Sequence, residues 1–200
     1  ITTDTHDAVT SAYQTDRVTS DNTLTVTGTA ELDSLLRIYD GSTLIASTYA
    51  DSKGNYILTT PVLTDGDHAL SITSTDTSGN ESGKTSLNTW KIDTISPDRP
   101  AVTAISGDTG TDGDAITSDK TLLIHGTAEA NSLVKVYRAG IYLGLVYADG
   151  NGKWTYDDTA TILADGQYIF TATSTDRSGN LSGISSDYKV IIDSSVLAPT

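Results

Sequence analysis

The 200-residue sequence contains no cysteine and no methionine. The absence of cysteine excludes disulfide bonds, thiolate metal sites and cysteine nucleophiles. Because position 1 is not methionine, we expect the sequence to be a segment of a longer chain. No apolar run approaches the roughly 20 residues that a membrane-spanning helix needs, so we expect no membrane insertion.

Basic residues are also scarce. The chain has 12 Lys and Arg against 26 Asp and Glu, which gives a net charge of −14. Only three of the acidic residues are glutamate, so almost all of the negative charge is carried by aspartate. Nucleic-acid phosphates need clustered Lys and Arg, and anionic lipids repel an acidic protein. The composition therefore argues against both partners.

The residues that are abundant favour β-structure. Aspartate is a poor helix former because its short side chain competes for nearby backbone groups. Thr, Val, Ile and Tyr are typical strand residues, and hydrophobic residues make up 36% of the chain. These features predict an all-β protein with a hydrophobic core.

The two halves of the sequence share several motifs. This repetition predicts two tandem domains of about 100 residues each, at 1–95 and 96–200. The matching pairs are Gly28–Glu31 with Gly126–Glu129, Tyr49–Asp51 with Tyr147–Asp149, and Ser74–Asn80 with Ser174–Asn180.

A connector at residues 93–100 joins the two predicted domains. It contains Pro97 and Pro100, and prolines make such a segment stiff and extended. Residues 194–200 look like the start of another connector. We therefore expect an extended, monomeric rod whose partners are neighbouring repeats of the same longer chain.

Each domain is predicted to be an immunoglobulin-like β-sandwich of about seven strands. Apolar and polar residues alternate along 24–27, as in a half-buried strand, and glycine-containing turns separate the strands. Tyr56 and Trp154 follow equivalent turns and are expected to fill the space between the sheets. In the first domain the strands are expected near residues 8–13, 22–29, 34–40, 43–50, 55–60, 67–75 and 84–93.

The sequence offers no convincing catalytic group. His6, His68 and His125 are isolated from one another, and no nucleophile with a paired base recurs in both domains. Carboxylate pairs could in principle act on a sugar, but they lie in turns without an aromatic cleft. We therefore expect that the chain is not an enzyme.

The loop after the first predicted strand of the second domain is rich in carboxylates. Asp108, Asp112 and Asp114 lie close together and are interrupted by Gly110 and Gly113. Calcium prefers several oxygen ligands, and glycines allow backbone carbonyls to turn inward and join the carboxylates. The spacing predicts a calcium site, with a solvated acidic loop as the alternative. The first domain has a shorter loop, where Asp16 could join Asp65 or Asp93 in a weaker site.

A second group of carboxylates is expected at the end of each sandwich where the chain enters. Two inter-strand turns reach that end, and oxygens from two domains on one ion would fix the angle between the domains. The alternative for Asp76 and Asp176 is an Asx-turn that needs no metal. The predicted ligands are Asp93, Asp98, Glu129 and Asp176 for the second domain, and Asp4, Asp7, Glu31 and Asp76 for the first.

Four motifs together resemble the bacterial Ig-like repeats of giant non-fimbrial adhesins. They are Asp-Thr-x-x-Pro-Asp-x-Pro at 93–100, Asp-Thr-Gly-x-x-Gly-Asp at 108–114, Gly-Thr-Ala-Glu at 126–129 and Ser-Thr-Asp-x-Ser-Gly-Asn at 174–180. The resemblance covers both domains, although the first lacks the Asp-Thr-Gly loop.

The resemblance implies a secreted stalk on the surface of a Gram-negative bacterium. Such proteins are exported by type I secretion, carry calcium at domain junctions and present a distal region for host-cell attachment or biofilm formation. The distal receptor would not touch this segment. The alternative is a pair of carbohydrate- or receptor-binding modules, which could be accessory to a secreted enzyme.

Overall fold

Short β-strands account for all the regular secondary structure in the computed structural model, which describes residues 16–195. The all-β prediction is confirmed. The chain divides between Ile95 and Ser96 into two units. Among residues 16–195 we find no helix with the length and hydropathy that a membrane span requires.

The first unit pairs a five-stranded sheet, in the order β1-β7-β6-β3-β4, with the two-stranded sheet β2-β5. Most neighbouring strands are antiparallel, but β1 runs parallel to β7. The expected strand at 8–13 lies outside the described residues. The strands are β1 (Val18–Thr19), β2 (Thr25–Thr29), β3 (Leu35–Asp40), β4 (Thr43–Tyr49), β5 (Asn55–Thr59), β6 (Gly66–Thr75) and β7 (Thr85–Ile92).

The second unit repeats this plan. Its five-stranded sheet has the order β12-β11-β14-β15-β9, and its second sheet has the order β13-β10-β8. The strands are β8 (Ala101–Ile105), β9 (Ile116–Thr117), β10 (Leu123–Thr127), β11 (Leu133–Arg138), β12 (Ile141–Tyr147), β13 (Lys153–Asp157), β14 (Gly166–Thr175) and β15 (Tyr188–Ile192).

The short strands β1 and β9 were not predicted. Each has two residues, which is too short to show an alternating hydrophobic pattern. Their pairing with the last strand of the same unit comes from tertiary packing. β9 also brings the end of the loop between β8 and β9 to the edge of the five-stranded sheet.

Each unit buries its own core between its two sheets. Leu24, Val26, Leu36 and Ile38 are at most 2% exposed, which confirms the alternating pattern seen in the sequence. Trp154 is 3% exposed, so its predicted core position is also confirmed. Tyr56 packs against the core of the first unit and is partly buried.

The glycine of the Gly-Thr-Ala-Glu motif makes room for the aromatic residue on the neighbouring strand. Gly126 lies opposite Trp154 in the β10–β13 pair, and a Cβ at Gly126 would overlap the indole and the carbonyl oxygen of Ala101. In the first unit a Cβ at Gly28 would lie 2.6 Å from the Tyr56 hydroxyl oxygen. The motif therefore repeats because the same close approach is needed twice.

Replacing Gly126 with alanine is expected to destabilise the second unit by about 1–3 kcal/mol, because overpacking forces the indole or the backbone to move. Urea unfolding measures this loss. Gly150→Ala is the matched control, since a Cβ there meets nothing within 4 Å. Equal stability of the two variants would contradict this account of the motif.

The first unit contains a partly buried pair between His68 and Asp40. His68 is 8% exposed; its Nδ1 lies 2.7 Å from Asp40 Oδ2, and its Nε2 lies 2.8 Å from the Thr64 carbonyl oxygen. Burial alone would lower the pKa of His68, but the bonds to Asp40 and Thr64 outweigh it and raise the pKa. Both neighbours are acceptors, so the pair is complete when both ring nitrogens carry protons.

The first unit is therefore expected to lose stability as the pH rises. A raised folded pKa means that the contribution is fully present below the unfolded value of about 6.5 and is lost as the pH passes the folded pKa. Thermal unfolding across this range should show the loss for the wild type and not for His68→Gln. If the stability of His68→Gln still falls with rising pH, the pH dependence comes from another group.

Candidate metal sites

The loop between β8 and β9 is organised around Asp108. Its Oδ2 accepts hydrogen bonds from the backbone N–H groups of Gly113 at 2.8 Å and Ala115 at 3.3 Å. Gly110 and Gly113 have φ angles of 88° and 87°, which fold the loop back around the carboxylate. The other oxygen, Oδ1, is buried without a hydrogen-bond partner. An oxygen in this position fits a cation, because buried acceptors need a partner.

The other two carboxylates of this loop do not join Asp108. Asp114 Oδ1 accepts the N–H of Ile116 at 2.8 Å, and Asp112 is exposed. Within residues 16–195, no three or more His, Cys, Asp or Glu side chains are grouped so as to hold a metal ion. Asp108, Asp112 and Asp114 are therefore not brought together as a three-carboxylate site among the described residues.

Two of the predicted junction ligands line one cavity in the second unit. The cavity measures about 290 Å³, and both Asp98 and Glu129 are exposed beside it. Arg99 lies against Gly183, where an added Cβ would be 2.7 Å from the arginine Nε. Its guanidinium is a positive group that the sequence reasoning did not include. The lining residues are Asp98, Arg99, Thr127, Ala128 and Glu129.

Asp176 and Asp76 hold Asx-type turns. Asp176 is not among the residues lining the cavity; its Oδ1 and Oδ2 accept the backbone N–H and the Nδ2 of Asn180, each at 2.9 Å. Asp76 accepts the same two groups of Asn80 at 2.8 Å, and also the N–H of Ser78 at 2.8 Å. The turn proposed as the alternative for these residues is therefore present in both units.

The remaining predicted ligands that the structure describes lie in different turns and loops, away from the Asp108 loop and the cavity. Asp93 Oδ1 accepts the N–H of Ile95 at 3.2 Å, and Asp16 Oδ1 accepts the N–H of Val18 at 3.1 Å. Glu31 is exposed in the turn between β2 and β3. Asp4 and Asp7 lie outside the described residues.

One carboxylate in each unit, Asp65 and its repeat counterpart Asp165, binds a residue just after the last strand of that unit, whereas the sequence suggested Asp65 only as a partner of Asp16 in a weaker metal site. Asp65 Oδ1 accepts the N–H and the hydroxyl of Thr94 at 3.0 and 2.9 Å. Asp165 accepts the Ser194 hydroxyl at 2.8 Å and lies 3.2 Å from Lys120 Nζ. The bond to Ser194, followed by that to Lys120, lowers the pKa of Asp165. The partners are 29 residues apart, so only the repeat itself could have indicated the contact.

Comparison with known proteins identifies both units. Residues 12–90 match a family model described as a bacterial Ig domain, and residues 96–194 match one described as a bacterial Ig-like domain. No functionally characterised protein matches the sequence at a significant level.

One solved structure supports the same fold, and two others are similar to this chain at lower scores. The fibronectin(III)-like modules of Clostridium thermocellum CbhA have a TM-score of 0.51 and 15% identity, over 88% of this chain and 87% of theirs. A 1.5-MDa bacterial ice-binding adhesin has a TM-score of 0.45 and 22% sequence identity, over 90% of this chain and 61% of that structure. The extending region of a large adhesion protein has a TM-score of 0.40 and 21% sequence identity, over 88% of this chain and 48% of that structure. The chain thus spans less than two thirds of either adhesin structure.

The chain thus consists of two tandem domains, the first matching a bacterial Ig family model and the second a bacterial Ig-like one. The resemblance and the sandwich fold expected from the sequence are both confirmed. Domains of this class are typically non-catalytic.

The Asp76 turn gives a prediction that needs no metal. The side-chain amide of Asn80, followed by backbone N–H groups, lowers the pKa of Asp76. The bonds are therefore present above the ordinary value of about 3.9 and are lost as the pH falls through the folded pKa. A carboxyl NMR titration in chelator should show this lowered pKa, and Asn80→Ala should move it upward. An unchanged pKa in Asn80→Ala would contradict the turn.

Proposed function

We propose that these domains are structural spacer repeats of a large secreted adhesin on a bacterial surface, and that calcium stiffens them. The family membership, the tandem arrangement in the sequence and the absence of cysteine support this proposal. A bound calcium ion could cross-link loops that no disulfide joins, and the many carboxylates of the chain are the oxygen ligands that calcium prefers. The single observation that carries the calcium proposal is the buried, unpartnered Oδ1 of Asp108.

Two places in the second unit fit calcium to different degrees. At Asp108, one buried oxygen is available beside a glycine-rich loop whose carbonyl groups can supply further ligands. At the cavity, Asp98 and Glu129 provide two exposed carboxylates, but Arg99 adds a competing positive charge. The first place is therefore the stronger candidate. A calcium ion there would be the positively charged partner that the buried Oδ1 of Asp108 lacks.

Calcium affinity in the range of extracellular modules is expected, with Kd of roughly 10⁻⁴–10⁻³ M. At free calcium tenfold above Kd, the second unit should gain about 1.4 kcal/mol of stability, since the ion binds the folded state. Isothermal titration of chelator-treated protein and thermal unfolding measure these quantities. Asp108→Asn should lose the effect, because it removes the charge from the buried carboxylate.

Asp157→Asn is the matched control, since Asp157 is exposed and its turn bond to Thr159 survives as an amide oxygen acceptor. It should retain full calcium binding. The absence of binding heat and of a thermal shift at millimolar calcium would overturn the calcium proposal. Stiffening is tested separately, because identical solution-scattering profiles with calcium and with chelator would contradict it.

A further inference from the structure

The core of the second unit encloses two polar side-chain atoms that have no hydrogen-bond partner. They are the indole Nε1 of Trp154, which is 3% exposed, and the hydroxyl oxygen of Ser174, which is 0% exposed. Buried polar groups in folded proteins almost always have a partner, which is either another protein group or an ordered water. Each of these two atoms therefore needs one.

The two atoms belong to different sheets of the sandwich but face the same part of the core. Trp154 lies in β13, and its indole reaches over Gly126 in β10, where a Cβ would overlap both the indole and the Ala101 carbonyl oxygen of β8. The indole therefore lies beside β8. Ser174 lies in β14 of the five-stranded sheet, and β14 lies next to β8 across the core.

The first unit shows these two positions around a single cavity. Tyr56 and Ser74 both line a cavity of about 210 Å³, whose walls come from both sheets. They are the repeat counterparts of Trp154 and Ser174. One water molecule occupies about 30 Å³ in the liquid, so this part of the fold has room for water.

The second unit keeps part of this space although its aromatic residue is larger. Leu36 and Ile72 line the cavity of the first unit. Their counterparts in the second unit are the smaller Val134 and Ala172. These smaller side chains offset part of the volume that the indole takes.

The repeat also shows why the Ser174 hydroxyl lacks a protein partner. In the first unit the Ser74 hydroxyl donates to Ser34 Oγ at 3.0 Å. The counterpart of Ser34 is Ser132, whose hydroxyl donates instead to the Glu129 carbonyl oxygen at 2.7 Å. The side chain that satisfies Ser74 is therefore engaged elsewhere in the second unit.

We propose that one ordered water molecule bridges Trp154 Nε1 and Ser174 Oγ inside the second unit. The two atoms are not bonded to each other, since each lacks a partner, so a molecule between them satisfies both. An indole N–H only donates, whereas a hydroxyl donates and accepts. The water accepts from Trp154 and donates to Ser174, which is within the range of about two to four bonds that buried waters make.

The site selects water because it is enclosed and carries no charge. An indole donor repels a cation, and neither atom neutralises an anion, so a neutral molecule of the smallest size fits best. The bridge connects β13 with β14 across the core of a chain that has no disulfide bond. It goes beyond the spacer role and does not depend on calcium.

A high-resolution crystal structure of the chain tests the proposal directly. It should show one water within hydrogen-bond distance of both Trp154 Nε1 and Ser174 Oγ. The structure of Ser174→Ala should lose this water or show it at reduced occupancy. A direct bond between the two side chains, another protein partner for Nε1, or a dry gap between the two atoms would rule the bridge out.

NMR in solution is the second measurement, because the chain has only two tryptophans. The indole N–H of Trp154 should show a cross-peak to a long-lived water. That of Trp90 should not, since it donates to the Leu87 carbonyl oxygen at 3.1 Å. Trp90→Phe assigns the two signals.

The serine variants complete the NMR test. Ser174→Ala should lose most of the Trp154 cross-peak, and Ser74→Ala, at the matching position of the first unit, should leave it unchanged. Thermal unfolding checks that both variants fold. A missing cross-peak in the wild type, or an equally strong one in Ser174→Ala, contradicts the bridge.

Discussion

The acceptance of backbone N–H groups by aspartate carboxylates is the interaction on which the rest of this structure depends. Asp51 and Asp149 each take two such bonds in the turn before β5 and β13. Asp76 and Asp176 likewise accept backbone N–H groups in the turns after β6 and β14. These turns set where strands end and which faces meet, and they do so in a chain without disulfides. The net charge of −14 is thus largely a consequence of turn chemistry.

The two units share one arrangement of strands and differ in side chains outside the core. In both units the glycine leaves room for the aromatic side chain opposite it on the neighbouring strand of the same sheet. Asp40 at the end of β3 pairs with His68 in the first unit, whereas Arg138 at the end of β11 lies 2.6 Å from Asp158 in the second. The outer faces differ most, since Glu81 and Lys84 are replaced by Leu181 and Ile184. Such replacements leave the core intact and change what each unit can contact.

Much of the fold could be predicted because strand alternation, turn residues and the internal repeat all pointed to the same sandwich. The carboxylate sites were harder, since a glycine-rich acidic loop suits both a calcium ion and a self-capped turn. Asp108 shows why: one of its oxygens caps the loop, and the other is left for a cation. The Asp65–Thr94 contact joins residues far apart in sequence and has no local sequence signal.

We infer that the carboxylates complete the turns without any metal, and that ions bind only afterwards at a few places. Amide hydrogen exchange in the presence of chelator tests it most directly. The account predicts that the N–H groups of Asn55, Asn80, Lys153 and Asn180, which bond to aspartate oxygens, stay protected without calcium. Exchange of these four groups at unprotected rates until calcium is added would contradict it.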